Sequence, residues 1–322
     1  MALYDVVHDT IYRYDSAVSL SQQIAHLRPR ERAGQHTLSH RLEIDPAPAQ
    51  IGERSDFFGN PVTTFALHAP HAQLVVRACS RIRVEPPAWP AAAASPPWEA
   101  ARDHLRDGLS GHAPLQAGAR DAGQYRFASP FVALGDEALA YADYALQCFT
   151  PGRALLEAVL ALSAQIHADF RFDPEATSVA TPVAAVFAAR SGVCQDFSHL
   201  MIACLRALGL AARYVSGYLL TAPPPGQPRL VGADASHAWV AVWCPGLGWV
   251  DVDPTNDLQP AGGHITLAWG RDYGDVCPLR GVILGGGGHA VAVAVTVMPV
   301  VEDPRVEEAD VDDTGVEGGA GG

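Results

Sequence analysis

Cys194, His237 and the aspartates at 251 and 253 are the residues whose types and spacing could attack a carbonyl carbon. A nucleophilic thiol needs a way to become thiolate, a base beside it, and a third group that holds that base in one tautomer. Cys194 lies in SGVCQDFSHLMIACLRALGL, residues 191–210. Phe197, Leu200, Met201, Cys204, Leu205 and Leu208 recur there at helical spacing, and Gly209 follows at a position where helices stop. Extending the stripe backwards places Cys194 in the first turn, on the inward side. A helix N-terminus favours a negative thiolate. The first-turn N–H of Cys194 has no partner inside the helix, so it can face a developing oxyanion. Gly192 permits close backbone approach just before it.

His237 opens a period-two run, SHAWVAVWC, in which His237, Trp239, Ala241 and Trp243 share one face. GWVDVDP follows after PGLG and reads as the partner strand. The register of this hairpin decides the chemistry. If Cys244 pairs with Trp249, Asp253 points away from His237. If Trp243 pairs with Trp249, the loop has five residues and Asp253 becomes the diagonal neighbour of His237 on the same face. A catalytic reading therefore predicts an odd loop or a bulge at 244–248. Asp253, which precedes Pro254 at a strand end, is weakly preferred over Asp251 on these grounds.

The elements around these residues read as α+β. Up to about residue 88, TIYRYD, HRLEIDP, PVTTFALH and AQLVVRACSRIRVEP suggest a small antiparallel sandwich or barrel, broken by the turn signals PAP and FGNP. PPAWPAAAASPP (86–97) reads as a stiff linker that opens into an 89–150 helical lead-in. ALGDEALAYADYALQCF, RALLEAVLALSAQIHADF and VAAVFAAR read as helices, and ARYVSGYLL and AVAVAVTVMPV as strands. The core is expected over 151–301, with APPPGQP as a loop. An acidic, Gly-rich tail at 302–322 is expected to be disordered.

The formal net charge of −13 argues against nucleic-acid or anionic-membrane partners. The start has no basic n-region or long apolar run, and no 18-residue apolar window occurs, so a cytoplasmic protein without membrane span is expected. Six scattered cysteines without a CxxC read as free thiols. HTLSH, with His36 and His40, lies in a strand, where residues four apart sit roughly 13 Å from each other, too far to share a metal. No metal or cofactor is expected.

GVCQDFSHLMIACLRALGLAARYVSGYL and ASHAWVAVWCPGLGWVDVDPTND together resemble the core of the transglutaminase-like superfamily. SLSQQIAHLRPRE, DFFGNPVTTF and HITLAWGRDYGDVCPLRG are similar to its bacterial branch with an additional N-terminal β domain. The resemblance implies a papain-like fold, with a Cys-bearing helix packed on an antiparallel sheet. It implies a triad of Cys194, His237 and Asp253, which selects the aspartate before proline. It implies attack on an amide of a protein or peptide, with water or an amine as acceptor.

Each residue also has a plainer reading. Cys194 could be a core thiol and His237 a satisfied strand histidine. Gln195 is a candidate oxyanion donor. Trp239 and Tyr218 are candidates for a substrate wall or for core. His199 and Asp196 read as structural, Cys204 as core and Cys244, at a loop, as structural, and GRDYGD (270–275) as a cleft floor or, by preference, the site of a salt bridge in the core. Overall the sequence favours an enzyme, with a catalytically silent scaffold or binding module as the rival.

Overall fold

The computed structural model describes residues 1–300 except 110, 112–115, 117 and 222–234. The expected APPPGQP loop and the 302–322 tail lie outside the described residues.

The N-terminal strands are β1 (Ala2–Ala25), β2 (Gln35–Asp45), β3 (Gln50–Ser55), β4 (Pro61–Leu67) and β5 (His71–Val84). Helices α1 (Trp98–Leu109), α2 (Ala119–Ala122), α3 (Ala138–Leu146) and α4 (Leu155–Asp169) come next. A short strand β6 (Arg171–Phe172), helix α5 (Val183–Ala189) and strand β7 (Ser191–Gly192) then lead into α6 (Cys194–Ala207). The chain continues through β8 (Ala212–Leu219), β9 (Ala235–Cys244), β10 (Gly248–Val252), β11 (His264–Gly270), α7 (Tyr273–Val276), β12 (Leu279–Gly285) and β13 (His289–Val300).

The architecture is α+β, with two antiparallel sheets. β1 is the spine of the first. Its early residues pair with β5 on one side and β13 on the other, and its last residues pair with β4 and β12. A register shift between Arg13 and Val18 bends the strand between these two sets of partners. Residues 279–300, expected within the 151–301 core, thus complete the N-terminal sheet. The second sheet runs β10-β9-β8-β11, and α6 packs against β9 and β8. Its apolar stripe is buried as expected. Ile202, Ala203, Ser198, His199 and Arg206 are buried too, so the helix is enclosed almost all round rather than on one face. One core runs from Val6, Ile82 and Val297 of the first sheet through α4 and α6 to Val240 and Val252 of the second.

Two polar side chains of the N-terminal region dock the second sheet onto the first. β11 is an edge strand, and unpaired edges need covering. Gln35 accepts from the Thr266 N–H at 2.8 Å and donates to its carbonyl at 2.7 Å. Asn60 accepts from the Trp269 N–H and donates to its carbonyl, both at 2.9 Å. Arg30 donates to Asn60 Oδ1 at 2.7 Å and lies over the Trp269 ring, 3.6 Å from its centroid. Asn60→Ala strips partners from buried backbone groups, so it is expected to destabilise the fold by about 2–4 kcal/mol. A shift of the urea midpoint without a change in slope measures this. An unchanged midpoint sinks the docking role.

No helix among the described residues is long and apolar enough to cross a membrane.

Candidate active site

Cys194 is the first residue of α6 and is partly exposed. The preceding turn is built by Asp196, whose buried carboxylate accepts from the Val193 N–H at 2.8 Å and from the Thr177 hydroxyl at 2.6 Å. Burial raises its pKa despite these two donors. Asp196 folds back over Gly192, where a Cβ would meet its Oδ2 at 2.6 Å. Glycine is therefore required there, although the close approach is to the Asp196 side chain.

The hairpin has the register that the catalytic reading demands. Trp243 pairs with Trp249 and Cys244 with Gly248, so only residues 245–247 form the loop, an odd number. Gly246 and Gly248 both take φ of +79°, which suits glycine at this tight reversal. Asp253 then lies beside His237. The His237 Nε2–H donates to Asp253 Oδ2 at 2.7 Å. Cys194 acts on the same imidazole and helps to raise its pKa, and Nδ1 is the ring nitrogen that Asp253 leaves free.

Asp253 is fully buried and satisfied on both oxygens. Oδ1 accepts from the Thr255 and Asn256 N–H groups at 3.0 and 3.3 Å. Oδ2 accepts from His237, from the Asn256 amide at 2.8 Å and from His264 Nε2 at 3.2 Å. Burial alone would raise the Asp253 pKa, but the His237 and His264 hydrogen bonds outweigh it and hold the carboxyl well below its usual range. For His237, burial favours the neutral ring. The Asp253 hydrogen bond and the adjacent Cys194 overcome it and push the pKa up to about 10.

His237, Asp253 and His264 bring three donor atoms within 4.8 Å of one another, a spacing that could hold a cation. Here the contacts are those of a hydrogen-bonded cluster, and the Asn256 amide donates to the same Asp253 oxygen that an ion would need.

The other sequence candidates are placed differently. Trp239 is fully buried, edge-on to His264 with centroids 5.2 Å apart. Tyr218 is buried and its hydroxyl bonds His8 Nδ1 at 3.0 Å. Neither offers a face to a substrate, because packing between the sheets covers both. The Gln195 amide donates to the Val179 carbonyl at 3.1 Å. His199 is buried and accepts from the Tyr273 N–H at 3.1 Å, and burial lowers its pKa to about 3, so it stays neutral. Arg271 and Asp275 form the salt bridge expected in GRDYGD, at 2.9 Å, and Asp272 caps α7. Asp251 pairs with Arg32 of the N-terminal region at 2.9 Å. Asn256 and His264 join the site without a strong sequence signal. Asn256 follows the Asp-Pro-Thr turn, the one local cue that points to it, whereas His264 opens a strand that shares no local pattern with His237.

Comparison with known proteins gives a consistent picture. Residues 4–83 match the bacterial transglutaminase-like N-terminal region, and residues 142–254 match the transglutaminase-like superfamily. An uncharacterised protein of Mycobacterium tuberculosis is 41% identical over 308 residues, covering 93% of this chain and 94% of its own length. A protein-glutamine gamma-glutamyltransferase of Pseudomonas aeruginosa is 36% identical over 124 residues, which is 38% of this chain and 19% of that one. The crystal structure of a candidate cysteine protease from Cytophaga hutchinsonii superposes with a TM-score of 0.69 at 20% identity, over 94% of this chain and 92% of that one. At that identity it speaks for the fold.

Proposed function

The chain belongs to the transglutaminase-like superfamily, and we propose that it is a cysteine enzyme acting on amide carbonyls of proteins or peptides. The observation that carries this reading is the buried His237–Asp253 hydrogen bond at 2.7 Å, set beside Cys194 at the start of α6. Cys194 Sγ attacks the carbonyl carbon while its proton resides on His237 Nδ1. The first-turn N–H of Cys194 faces the oxyanion. Collapse of the tetrahedral intermediate breaks the C–N bond, and the His237 proton passes to the leaving amine. The resulting thioester is attacked by an acceptor that gives its proton back to His237, releasing the thiol. Asp253 stabilises the imidazolium throughout. The chemistry needs no metal or cofactor.

A glutamine side chain is one substrate class, in keeping with the name of the Pseudomonas relative. We favour water over an amine as acceptor, because water is abundant and indiscriminate protein crosslinking would be harmful.

The test is alkylation of the native protein with iodoacetamide from about pH 5 to 9, read by peptide mass spectrometry. Cys194 is expected to react well ahead of the partly exposed Cys79 and Cys277 below neutral pH. Glutamine peptides should then give deamidated product, with or without added amine. A Cys194 no faster than the other two puts the scaffold reading in front.

A further inference from the structure

Two imidazoles share one carboxylate oxygen. His237 from β9 and His264 from β11 both direct Nε2 at Asp253 Oδ2, at 2.7 and 3.2 Å. Their ring centroids are 5.9 Å apart. His264 is held in this pose from two sides. Its backbone N–H donates to the Ala261 carbonyl at 3.1 Å, and its ring stands edge-on to Trp239. Trp239 in turn fits only because residue 217, opposite His237, is glycine. A Cβ there would come within 2.5 Å of the Trp239 ring. Gly217, Trp239 and His264 thus form one packed unit behind the His237–Asp253 pair.

We infer that His264 is a positioning residue of the site: its Nε2–H competes with His237 for Asp253 Oδ2 and so limits how strongly Asp253 holds the His237 proton. The inference rests on the cysteine-enzyme reading above. Its chemical logic comes from the acylation step. The imidazolium must be stable enough to pair with a thiolate, yet acidic enough to protonate a leaving amine. A buried carboxylate with its charge focused on one imidazole overshoots the first requirement at the expense of the second. A second donor on the same oxygen spreads that charge. Among the described residues, the other titratable or charged groups facing the cluster are few. Cys194 faces it from α6, and His167 of α4 bonds the Thr255 carbonyl at 2.8 Å. Arg32, Glu85 and Asp251 line the cavity of about 30 Å³ that His264 also lines, and Arg32 and Asp251 pair with each other.

The experiment follows the His237 ring by NMR titration in full-length, histidine-labelled protein, beside the pH profile of Cys194 alkylation. His264→Leu removes the donor and keeps an apolar group against Trp239. His264→Gln keeps a donor. The expected result is a His237 titration moved upward by about half a unit to one unit in His264→Leu, the scale of one hydrogen bond. In His264→Gln it stays within a few tenths of a unit of wild type. Alkylation needs no leaving-amine protonation, so Cys194 should still react ahead of Cys79 and Cys277 in His264→Leu, which also reports an intact site. An unchanged or lowered His237 titration in His264→Leu, with fast alkylation retained, overturns the inference and leaves the enzyme reading standing. A wild-type Cys194 no more reactive than Cys79 overturns the enzyme reading itself.

Discussion

His237→Ala is expected to slow alkylation of Cys194 at pH 6 by about 100-fold, and by only a few-fold at pH 9. At pH 6 an ordinary thiol is thiolate in roughly one molecule in 300. In the native protein the imidazolium is held by Asp253, with its pKa pushed up to about 10, so it persists beside Cys194 throughout this range. Removing the ring removes the positive partner that would stabilise a thiolate beside it. By pH 9 most thiols ionise unaided, and the two proteins converge. The variant should fold. Asp253 keeps four donors without His237, namely the Thr255 and Asn256 N–H groups, the Asn256 amide and His264. Equal rates at pH 6, measured on protein with an unchanged thermal midpoint, would sink the thiolate–imidazolium pair.

The residues of this pair were readable in the sequence because each sits in a short segment with a strong period. The helical stripe behind Cys194 and the period-two run from His237 fix elements and faces locally. The hairpin added a rarer gain, since two short strands and an odd loop sufficed to tell which register brings Asp253 to His237. What local periodicity leaves open is the far side of each face. Tyr218 and Trp239 have the types of substrate-wall residues, but one is covered by β1 through His8 and the other by β11 through His264. His264 reaches Asp253 only because β11 pairs with β8 at the opposite edge of the sheet from β10. Strand order of that kind has no signature in either segment. The same holds for β12 and β13, which read as ordinary late strands yet pair with β1 at the other end of the chain. Gln35 and Asn60 look like turn-flanking polar residues until the edge they cover is in view.

Asp253→Asn, which keeps volume and removes charge, is expected to lower stability most in the acidic half of the pH range and least near pH 10. Two groups set that window, and their signs differ. The folded pKa of His237 is raised to about 10, so its contribution is fully present below its unfolded value of about 6.5. It fades as pH rises through about 10. The folded pKa of Asp253 is lowered, so its contribution is present above its unfolded value of about 3.9 and lost as pH falls. Both are in place between about pH 4 and 6.5, and there the difference between wild type and variant should reach about 3–5 kcal/mol, the scale of breaking a buried ion pair. Burial also lowers the pKa values of His8 and His199, to about 4 and about 3, which weakens both proteins over that same interval. That loss is common to the two and cancels in the difference. With Asp253 neutral, burial dominates at His237 and its ring should lose its proton near or below neutral pH, so Cys194 reactivity at pH 6 should fall along with stability. Urea titrations of both proteins at pH 5.5, 8 and 10 decide the point. A difference that is flat with pH would mean that Asp253 acts here through packing and neutral hydrogen bonds, with no ionic coupling to His237.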